Sequence, residues 1–197
     1  MIKYKESNID FEFPDEYKVI KFDDSNFYRH AFNRLPGGKG VDFLIETTES
    51  LIFLEVKNCT GHEPENRKRT QIVKDGRAED GEISFDAKTF DAEVSAKVAL
   101  SLACLVGAYT KGKNSETAQK LEPYFKFLTS ESVRTQKKDV IVILVLEGNF
   151  EAESRSKKMQ MGRIQDSIRS KLDWVAVKKV SVVDCDTYKQ RYFTMIK

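Results

Sequence analysis

Two apolar segments of the chain contain charged residues whose types could support metal-dependent chemistry. Asp42 interrupts the run GVDFLIET, and Glu55 and Lys57 interrupt the run LIFLEVKN that follows. The polar stretch TTES lies between the runs, and β-branched and large apolar residues dominate both sides of it. This pattern is typical of a β-hairpin, which we predict for Val41 to Thr47 and Leu51 to Lys57.

The turn of this hairpin determines which residues face each other. A two-residue turn at Thr48 and Glu49 would place Asp42 directly opposite Glu55, with Cβ atoms about 4.5–5.5 Å apart. Lys57 would point to the same face, because side chains alternate along a strand. Two carboxylates at this distance repel each other and are costly to bury, so we expect a cation to accompany them.

Magnesium is the natural cation for such a pair. Mg²⁺ typically takes one or two protein carboxylates and completes its shell with water and phosphate oxygens, which suits a phosphodiester substrate. Lys57 could then stabilise the attacking hydroxide or the charge that develops on the phosphoryl group. The alternative is that Asp42 and Glu55 are polar residues of edge strands and that Lys57 is a solubilising charge at a strand end. Apolar neighbours on both faces favour the functional interpretation.

The same residues resemble the PD-(D/E)xK nuclease superfamily, which places an acidic residue on one hairpin strand and ExK on the next. The match is Asp42, followed by Glu55, Val56 and Lys57, while Val41 replaces the usual proline before the aspartate. The resemblance implies that Asp42 and Glu55 bind Mg²⁺ or Mn²⁺, that the Val56 carbonyl is a further ligand, and that Lys57 is the catalytic lysine. It also implies the restriction-endonuclease-like fold.

The order of predicted elements agrees with the core of that superfamily. A helix over Ser25 to Leu35, capped by Ser25, precedes the hairpin, and a helix over Asp86 to Tyr109 follows it. Its apolar stripe consists of Phe90, Val94, Val98, Leu102, Leu105 and Tyr109. The β-branched run Val140 to Leu146 then predicts a strand covered on both faces, at the centre of the sheet.

One feature of the superfamily is missing from the first helix. Many members place a glutamate there as an additional metal ligand, but SNFYRHAFNRL contains no acidic residue. Asp24, or its neighbour Asp23, could substitute; the alternatives are that one metal ion suffices or that the activity is lost. An aspartate before Ser25 is equally well explained by helix capping.

The rest of the chain completes a single domain over residues 1–197. We predict an α/β fold with a restriction-endonuclease-like mixed β-sheet flanked by helices on both faces. A long polar loop is predicted at about 60–85, from Thr60 to Ser84. The remaining predicted elements are a strand over Tyr17 to Phe22, a helix over Glu116 to Leu128 divided at Pro123, a helix over Glu153 to Leu172, and strands over Val175 to Val183 and Arg191 to Ile196.

Several basic residues could assist at the site. Lys97 could reach it from the helix after the hairpin, although an ordinary pair with Glu93 on the solvent face is slightly favoured. Arg67, Lys68 and Arg69 in the long loop could contact phosphates, or they could form a solvated surface. The basic face of the later helix, around Arg155, Lys158 and Arg163, is more simply a solvated surface.

The composition restricts the class of protein further. Hydrophobic residues make up 40% and charged residues 32%, which predicts a folded globular chain. The three cysteines form no CxxC pair, and no uninterrupted apolar run approaches about 20 residues, so a cytoplasmic protein without a membrane partner is expected. Trp174 is predicted to anchor the core.

Together these features predict a Mg²⁺-dependent nuclease that hydrolyses phosphodiester bonds of nucleic acid, with a DNA endonuclease favoured over an enzyme acting on RNA. The net charge of +2 does not by itself indicate a nucleic-acid binder. The alternative is a non-catalytic binding or interaction protein that retains the nuclease fold. A homodimer stays open, because double-strand cutting by this fold usually calls for two active sites.

Overall fold

The computed structural model describes residues 1–72, 89–150 and 156–197. The strands are β1 (Ile2–Glu6), β2 (Ile9–Phe13), β3 (Lys18–Lys21), β4 (Phe43–Glu46), β5 (Ser50–Asn58), β6 (Asp139–Glu147), β7 (Val177–Val183) and β8 (Thr194–Ile196). The α-helices are α1 (Asn26–His30), α2 (Glu63–Asn66), α3 (Phe90–Lys111), α4 (Glu116–Gln119), α5 (Glu122–Leu128), α6 (Glu131–Arg134) and α7 (Lys157–Lys171). The protein is therefore a mixed α/β structure, as predicted.

The larger sheet has five strands in the order β3-β4-β5-β6-β7. The pairs β3–β4 and β4–β5 are antiparallel, whereas β5–β6 and β6–β7 are parallel. The predicted strand Val140 to Leu146 lies within β6, but its predicted position at the sheet's centre is wrong, since β5 is the middle strand. Both strands are interior and apolar on both faces, so an apolar run cannot show which of them is central.

The helices pack on one face of this sheet, and the prediction of helices on both faces is wrong for the described residues. Phe27 of α1, Val94 and Val98 of α3, and Ile164 of α7 all share a core with β5 residues such as Phe53. The topology explains this arrangement. Because β5, β6 and β7 are neighbours in chain order, two crossovers of the usual right-handed sense place their helices on the same face.

A second sheet, with the order β1-β2-β8, covers the opposite face. Phe11 and Phe13 of β2 and the adjacent Phe193 pack with Phe43 of the larger sheet in a separate core. The predicted strand Arg191 to Ile196 contains β8 and belongs to this sheet. The hairpin of β1 and β2 was not predicted, and it replaces the expected second layer of helices.

The first hairpin turns through two residues in a left-handed backbone conformation. Ser7 has φ of 51° and Asn8 has φ of 64°, and the flanking Glu6 and Ile9 are paired. Positive φ at both central residues suits the twist of a tight antiparallel hairpin. The turn lies near the end of β5, because Asn58 Nδ2 donates to Ser7 O at 2.8 Å.

Helix α3 crosses the helical face and carries the predicted apolar stripe up to Leu105. Tyr109 is 47% exposed, and the adjacent Ala108 is buried instead. Five turns of 3.6 residues after Phe90 lead to residue 108, so the five predicted steps, four of them of four residues, pass the buried face by one residue. The predicted start at Asp86 lies outside the described residues.

By length and composition α3 would also suit a membrane span, and it is the one such helix in the described part of the chain. Core helices of globular proteins pass the same test, and Phe90, Val94 and Val98 are fully buried inside the protein. The cytoplasmic location stays a prediction.

The other helical predictions can be compared with the structure element by element. Ser25 caps α1, since its Oγ accepts from the Tyr28 amide. The predicted helix from Glu116 to Leu128 is divided into α4 and α5, but the break lies at Lys120 and Leu121 and Pro123 is in the first turn of α5. The predicted loop from Thr60 contains the short helix α2 and a 3₁₀ helix, Arg67–Thr70, before the undescribed residues 73–88. Trp174 is 66% exposed, so its predicted role as a core anchor is wrong.

Candidate active site

The predicted hairpin register is confirmed by the pairing of β4 with β5. Phe43 pairs with Leu54, so the next step along both strands brings Asp42 opposite Glu55. The turn closes through Thr47, whose amide donates to Ser50 O at 2.8 Å. Asp42 lies just before β4, at the end of the sheet where β4 begins and β5 approaches its last residues.

The loop before Asp42 is held against α1. The Tyr28 hydroxyl donates to Gly38 O at 3.0 Å and accepts from Gly40 N at 3.1 Å. Glycine is required at position 40 by close packing, because a Cβ there would lie 2.5 Å from Cε1 of the buried Phe22 ring. These contacts fix the direction in which the chain enters the strand at Asp42.

A second anchor joins the same loop to α3. The amide of Val41 donates to Ser101 Oγ at 3.0 Å, and that hydroxyl donates to Lys97 O at 2.8 Å. Ser101 lies one helical turn after Lys97, so this chain of hydrogen bonds sets α3 beside the start of β4. It therefore brings Lys97 next to Asp42.

The two carboxylates are buried and surrounded by donors. Asp42 is 6% exposed and Glu55 is 1% exposed. Asp42 Oδ2 accepts from the Val56 amide at 2.6 Å, while its Oδ1 lies 3.7 Å from Lys97 Nζ. Glu55 Oε1 accepts from Lys97 at 2.5 Å and forms an ion pair with Lys57 Nζ at 2.9 Å. Glu55 Oε2 is buried and has no hydrogen-bond partner among residues 1–72, 89–150 and 156–197.

These surroundings make Asp42 resist ionisation. Burial, followed by the negative charge of Glu55, raises the pKa of Asp42 to about 8. The Lys97 charge and the Val56 amide act in the opposite direction and do not cancel the rise. A carboxyl with such a pKa is held in an unfavourable position by the fold, which is common at functional sites.

Lys57 is held by two carboxylates rather than one. Its Nζ lies 2.9 Å from Glu55 Oε1 and 2.9 Å from Glu93 Oε1. Burial alone would lower the pKa of Lys57, but the charges and hydrogen bonds of Glu55 and Glu93 outweigh it and raise that pKa. Lys57 is therefore a permanent cation at neutral pH and is unsuited to act as a general base.

Glu93 connects Lys57 to the segment after β5. Its second carboxylate oxygen pairs with the Arg69 guanidinium, which also lies 4.4 Å from the centre of the Phe90 ring and donates to Asn66 Oδ1 at 2.8 Å. Burial acts to raise the pKa of Glu93, but Lys57 and Arg69 outweigh it and lower that pKa. Arg69 thus serves the fold of the site, whereas its neighbours Arg67 and Lys68 are exposed.

The favoured interpretation of Lys97, an ordinary solvent-face pair with Glu93, is wrong. Lys97 points at Glu55 and Asp42, and Glu93 pairs with Lys57 and Arg69 instead. The sequence contained a signal for this arrangement. Glu93, Lys97 and Ser101 recur every four residues along the buried stripe of α3, and such a line faces one neighbour.

The two aspartates before α1 differ in their surroundings. Asp24 is exposed and pairs with Arg29 at the surface. Asp23 Oδ1 is buried, and none of the residues that the structure describes forms a hydrogen bond with it. Burial raises the pKa of Asp23 to about 6, against the lowering effects of Lys21 and Lys97. Asp23, rather than the preferred Asp24, therefore belongs to the electrostatic environment of Lys97.

The donor set fits a divalent ion that needs few protein ligands. Within residues 1–72, 89–150 and 156–197, no three His, Cys, Asp or Glu side chains lie close enough together to hold a metal ion. Asp42 and Glu55 nevertheless provide two opposed buried carboxylates, one with an unpartnered oxygen. Mg²⁺ commonly uses one or two carboxylates, so these residues would fit it if the remaining positions held water or substrate oxygens.

Comparison with known families assigns the chain to a family but does not assign a function to it. The model of a family of unknown function, DUF6661, matches residues 25–197. Because this match covers most of the chain and includes the whole hairpin and α3, the protein belongs to that family. The search of curated proteins and the search of solved structures gave no match.

Proposed function

We propose that the protein is a Mg²⁺- or Mn²⁺-dependent nuclease that hydrolyses phosphodiester bonds of nucleic acid. The observation that carries this proposal is the convergence of two buried carboxylates with two ammonium groups, at Asp42, Glu55, Lys57 and Lys97. In the reaction a water oxygen bonds to phosphorus, the phosphorus–oxygen ester bond breaks, and a proton reaches the leaving oxygen.

The acidic and the basic residues of the site would have different roles. Asp42 and Glu55 would hold the divalent ion, which supplies Lewis-acid polarisation of the phosphate when bound. Lys57, kept protonated by Glu55 and Glu93, offers a fixed positive charge to the phosphoryl oxygens as negative charge develops there. Arg67 and Lys68, exposed on the segment that carries Arg69, would contact flanking phosphates.

The topology supports the expected fold relationship. An antiparallel hairpin of β4 and β5, a long helix α3, and a strand β6 parallel to β5 follow one another in the order of the restriction-endonuclease-like core. DNA is favoured as substrate by the resemblance alone. The proposal of a DNA endonuclease therefore depends on this resemblance in addition to the mixed α/β architecture.

A cleavage assay tests the function. We expect the wild-type protein to cleave a panel of DNA and RNA substrates with Mg²⁺ or Mn²⁺, and Asp42→Ala and Lys57→Ala to lose at least about 100-fold in rate. Lys126→Ala is the matched control, because it removes a surface lysine that pairs with Glu122. Equal cleavage by all four proteins would refute the assigned site, and no cleavage by any of them would refute the activity.

A non-catalytic binding protein is the second candidate, and one observation favours it. Lys57 and Lys97 already place two positive charges beside the two carboxylates, so the net charge of this group is balanced without a metal. On this alternative the protein would bind nucleic acid through Arg67 and Lys68 without cleaving it. Unchanged nucleic-acid binding in Asp42→Ala, together with absent cleavage in the wild type, would support this role.

A further inference from the structure

Lys97 occupies the place where a cation between the two carboxylates is expected. Its Nζ lies 2.5 Å from Glu55 Oε1 and 3.7 Å from Asp42 Oδ1, and its side chain is 12% exposed. The other Glu55 oxygen, Oε2, is buried and has no partner within the described part of the chain. The ammonium therefore supplies the charge compensation that the pair requires, and one acceptor stays unused.

A divalent ion bound between Asp42 and Glu55 would compete with this ammonium. Mg²⁺ lies about 2.0–2.1 Å from the carboxylate oxygens that bind it. Lys97 Nζ lies 2.5 Å from Glu55 Oε1 and 3.7 Å from Asp42 Oδ1, so an ion bound between these carboxylates would lie close to the ammonium, and cations that are close together in a buried site repel each other strongly. Lys57 is differently placed, because Glu93 provides it with a second carboxylate on the far side.

We infer that Lys97 determines the metal affinity of the site, as a resident cation that a divalent ion must displace. This inference rests on the proposed function in requiring that Asp42 and Glu55 bind a divalent ion. The displacement is a movement of the side chain alone, since the backbone of Lys97 is held by Ser101. Asp23, whose carboxyl feels the charge of Lys97 and whose buried Oδ1 has no partner among the described residues, offers the displaced ammonium an acceptor.

The neutral glutamine variant tests the competition directly. Calorimetric titration of metal-free proteins with Mn²⁺ should show roughly tenfold or tighter binding by Lys97→Gln than by the wild type, in the range of ordinary coupling between two ligands. Lys97→Arg keeps the positive charge and should bind no more tightly than the wild type. Lys157→Gln is the matched control, because Lys157 pairs with the buried Asp184 elsewhere, and it should leave Mn²⁺ affinity unchanged.

The melting temperature provides a second test, because Lys97→Gln leaves two buried carboxylates without their shared cation. Its melting temperature should lie below that of the wild type without metal and should rise further on addition of Mn²⁺. The double variant Asp42→Asn, Lys97→Gln should lose the added Mn²⁺ affinity. A Lys97→Gln protein that stays unfolded in Mn²⁺ would overturn the inference.

The outcomes separate the inference from the function on which it rests. Mn²⁺ binding by the wild type, with equal or weaker binding by Lys97→Gln, would overturn the role of Lys97 and leave the metal site in place. No Mn²⁺ binding by either protein would overturn the metal site and the inference together. Tighter binding by Lys97→Gln that requires Asp42 would support both.

Discussion

The buried carboxylates of the candidate site, Asp42 and Glu55, differ in their partners from the buried carboxylates at the ends of β6 and β7. Glu147, the last residue of β6, accepts from the Cys185 amide at 2.5 Å and from Lys197 Nζ at 2.6 Å, one with each oxygen. Asp184, just after β7, accepts from the Thr187 amide at 2.8 Å and pairs with Lys157. Each of these carboxylates has its own partners.

The pKa of Asp42 shifts in the opposite direction to the pKa values of Glu147 and Asp184. Burial acts to raise the pKa of Glu147 and of Asp184, but Lys197 and Lys157 with the local hydrogen bonds outweigh it, and both values are lowered. At the candidate site the pKa of Asp42 rises to about 8, and Glu55 keeps an unpartnered oxygen. The first arrangement stabilises the fold, whereas the second reduces stability, as residues retained for function commonly do.

Asp184→Asn should produce the largest change in stability. It removes the charge that holds Lys157, and breaking a buried pair costs about 3–5 kcal/mol. Because the Lys157 side chain is 23% exposed and can be partly hydrated, we expect a loss of about 2–3 kcal/mol in the free energy of unfolding at pH 7. Chemical denaturation measures this value, and the exposed neighbour Asp186→Asn is the control.

The pH dependence of this effect follows from the lowered pKa of Asp184. Its stabilisation is present above the unfolded pKa of 3.8 and is lost as the pH falls through the lower folded value. The difference between wild type and Asp184→Asn should therefore shrink in strong acid. Equal unfolding free energies for Asp184→Asn and Asp186→Asn at pH 7 would remove the contrast between the two clusters.

Asp42→Asn should change stability in the opposite direction. The folded pKa of Asp42 is raised from 3.8 to about 8, so its contribution is fully present below pH 3.8 and is lost as the pH rises through about 8. In metal-free buffer we expect the variant to gain about 1–2 kcal/mol at pH 8 and nothing near pH 4. Asn can still accept from the Val56 amide, which preserves that hydrogen bond.

Denaturation across this pH range measures the gain, with the surface variant Asp24→Asn as control. A gain that does not depend on pH, or a loss of stability at pH 8, would show that Asp42 is as well satisfied as Asp184. The distinction between a functional and a structural cluster would then fail.

Glu93→Gln should have the smallest effect, and it should act on rate rather than on metal binding. Without the Glu93 charge the pKa of Lys57 falls, although Glu55 keeps the ammonium charged. We expect cleavage to slow by about tenfold, the effect of a misplaced charge at the reacting group, with Mn²⁺ affinity unchanged. Kinetic assays and calorimetry measure the two quantities, and Glu122→Gln removes a comparable surface pair.

A Glu93→Gln protein that cleaves as fast as the Glu122→Gln control would show that Glu93 does not position Lys57. A fall in Mn²⁺ affinity as large as that caused by Asp42→Ala would instead make Glu93 part of the metal site.

The sequence predicted the hairpin correctly because its information is local. Alternation and the turn at Thr48 and Glu49 fixed the register, and the register placed Asp42 opposite Glu55. The position of Lys97 depends on how α3 is rotated against the sheet, and that rotation is set by distant contacts such as the bond between Val41 and Ser101. The preference for a local pair with Glu93 therefore failed.

The second layer of the fold was missed for a different reason. IKYKE and IDFEF alternate as strands around Ser7 and Asn8, which was a readable hairpin signal. Its partner β8 lies at the other end of the chain, so the sheet they form could not be assembled from neighbouring segments. The faces of the larger sheet were consequently both assigned to helices.

The most direct test of the proposed metal site is anomalous scattering from crystals soaked in Mn²⁺. We expect one ion between Asp42 and Glu55, in contact with a carboxylate oxygen of each, and we expect Lys97 Nζ to have moved away from Glu55 Oε1. Crystals in which Lys97 stays at Glu55 and no ion is bound at saturating Mn²⁺ would contradict it.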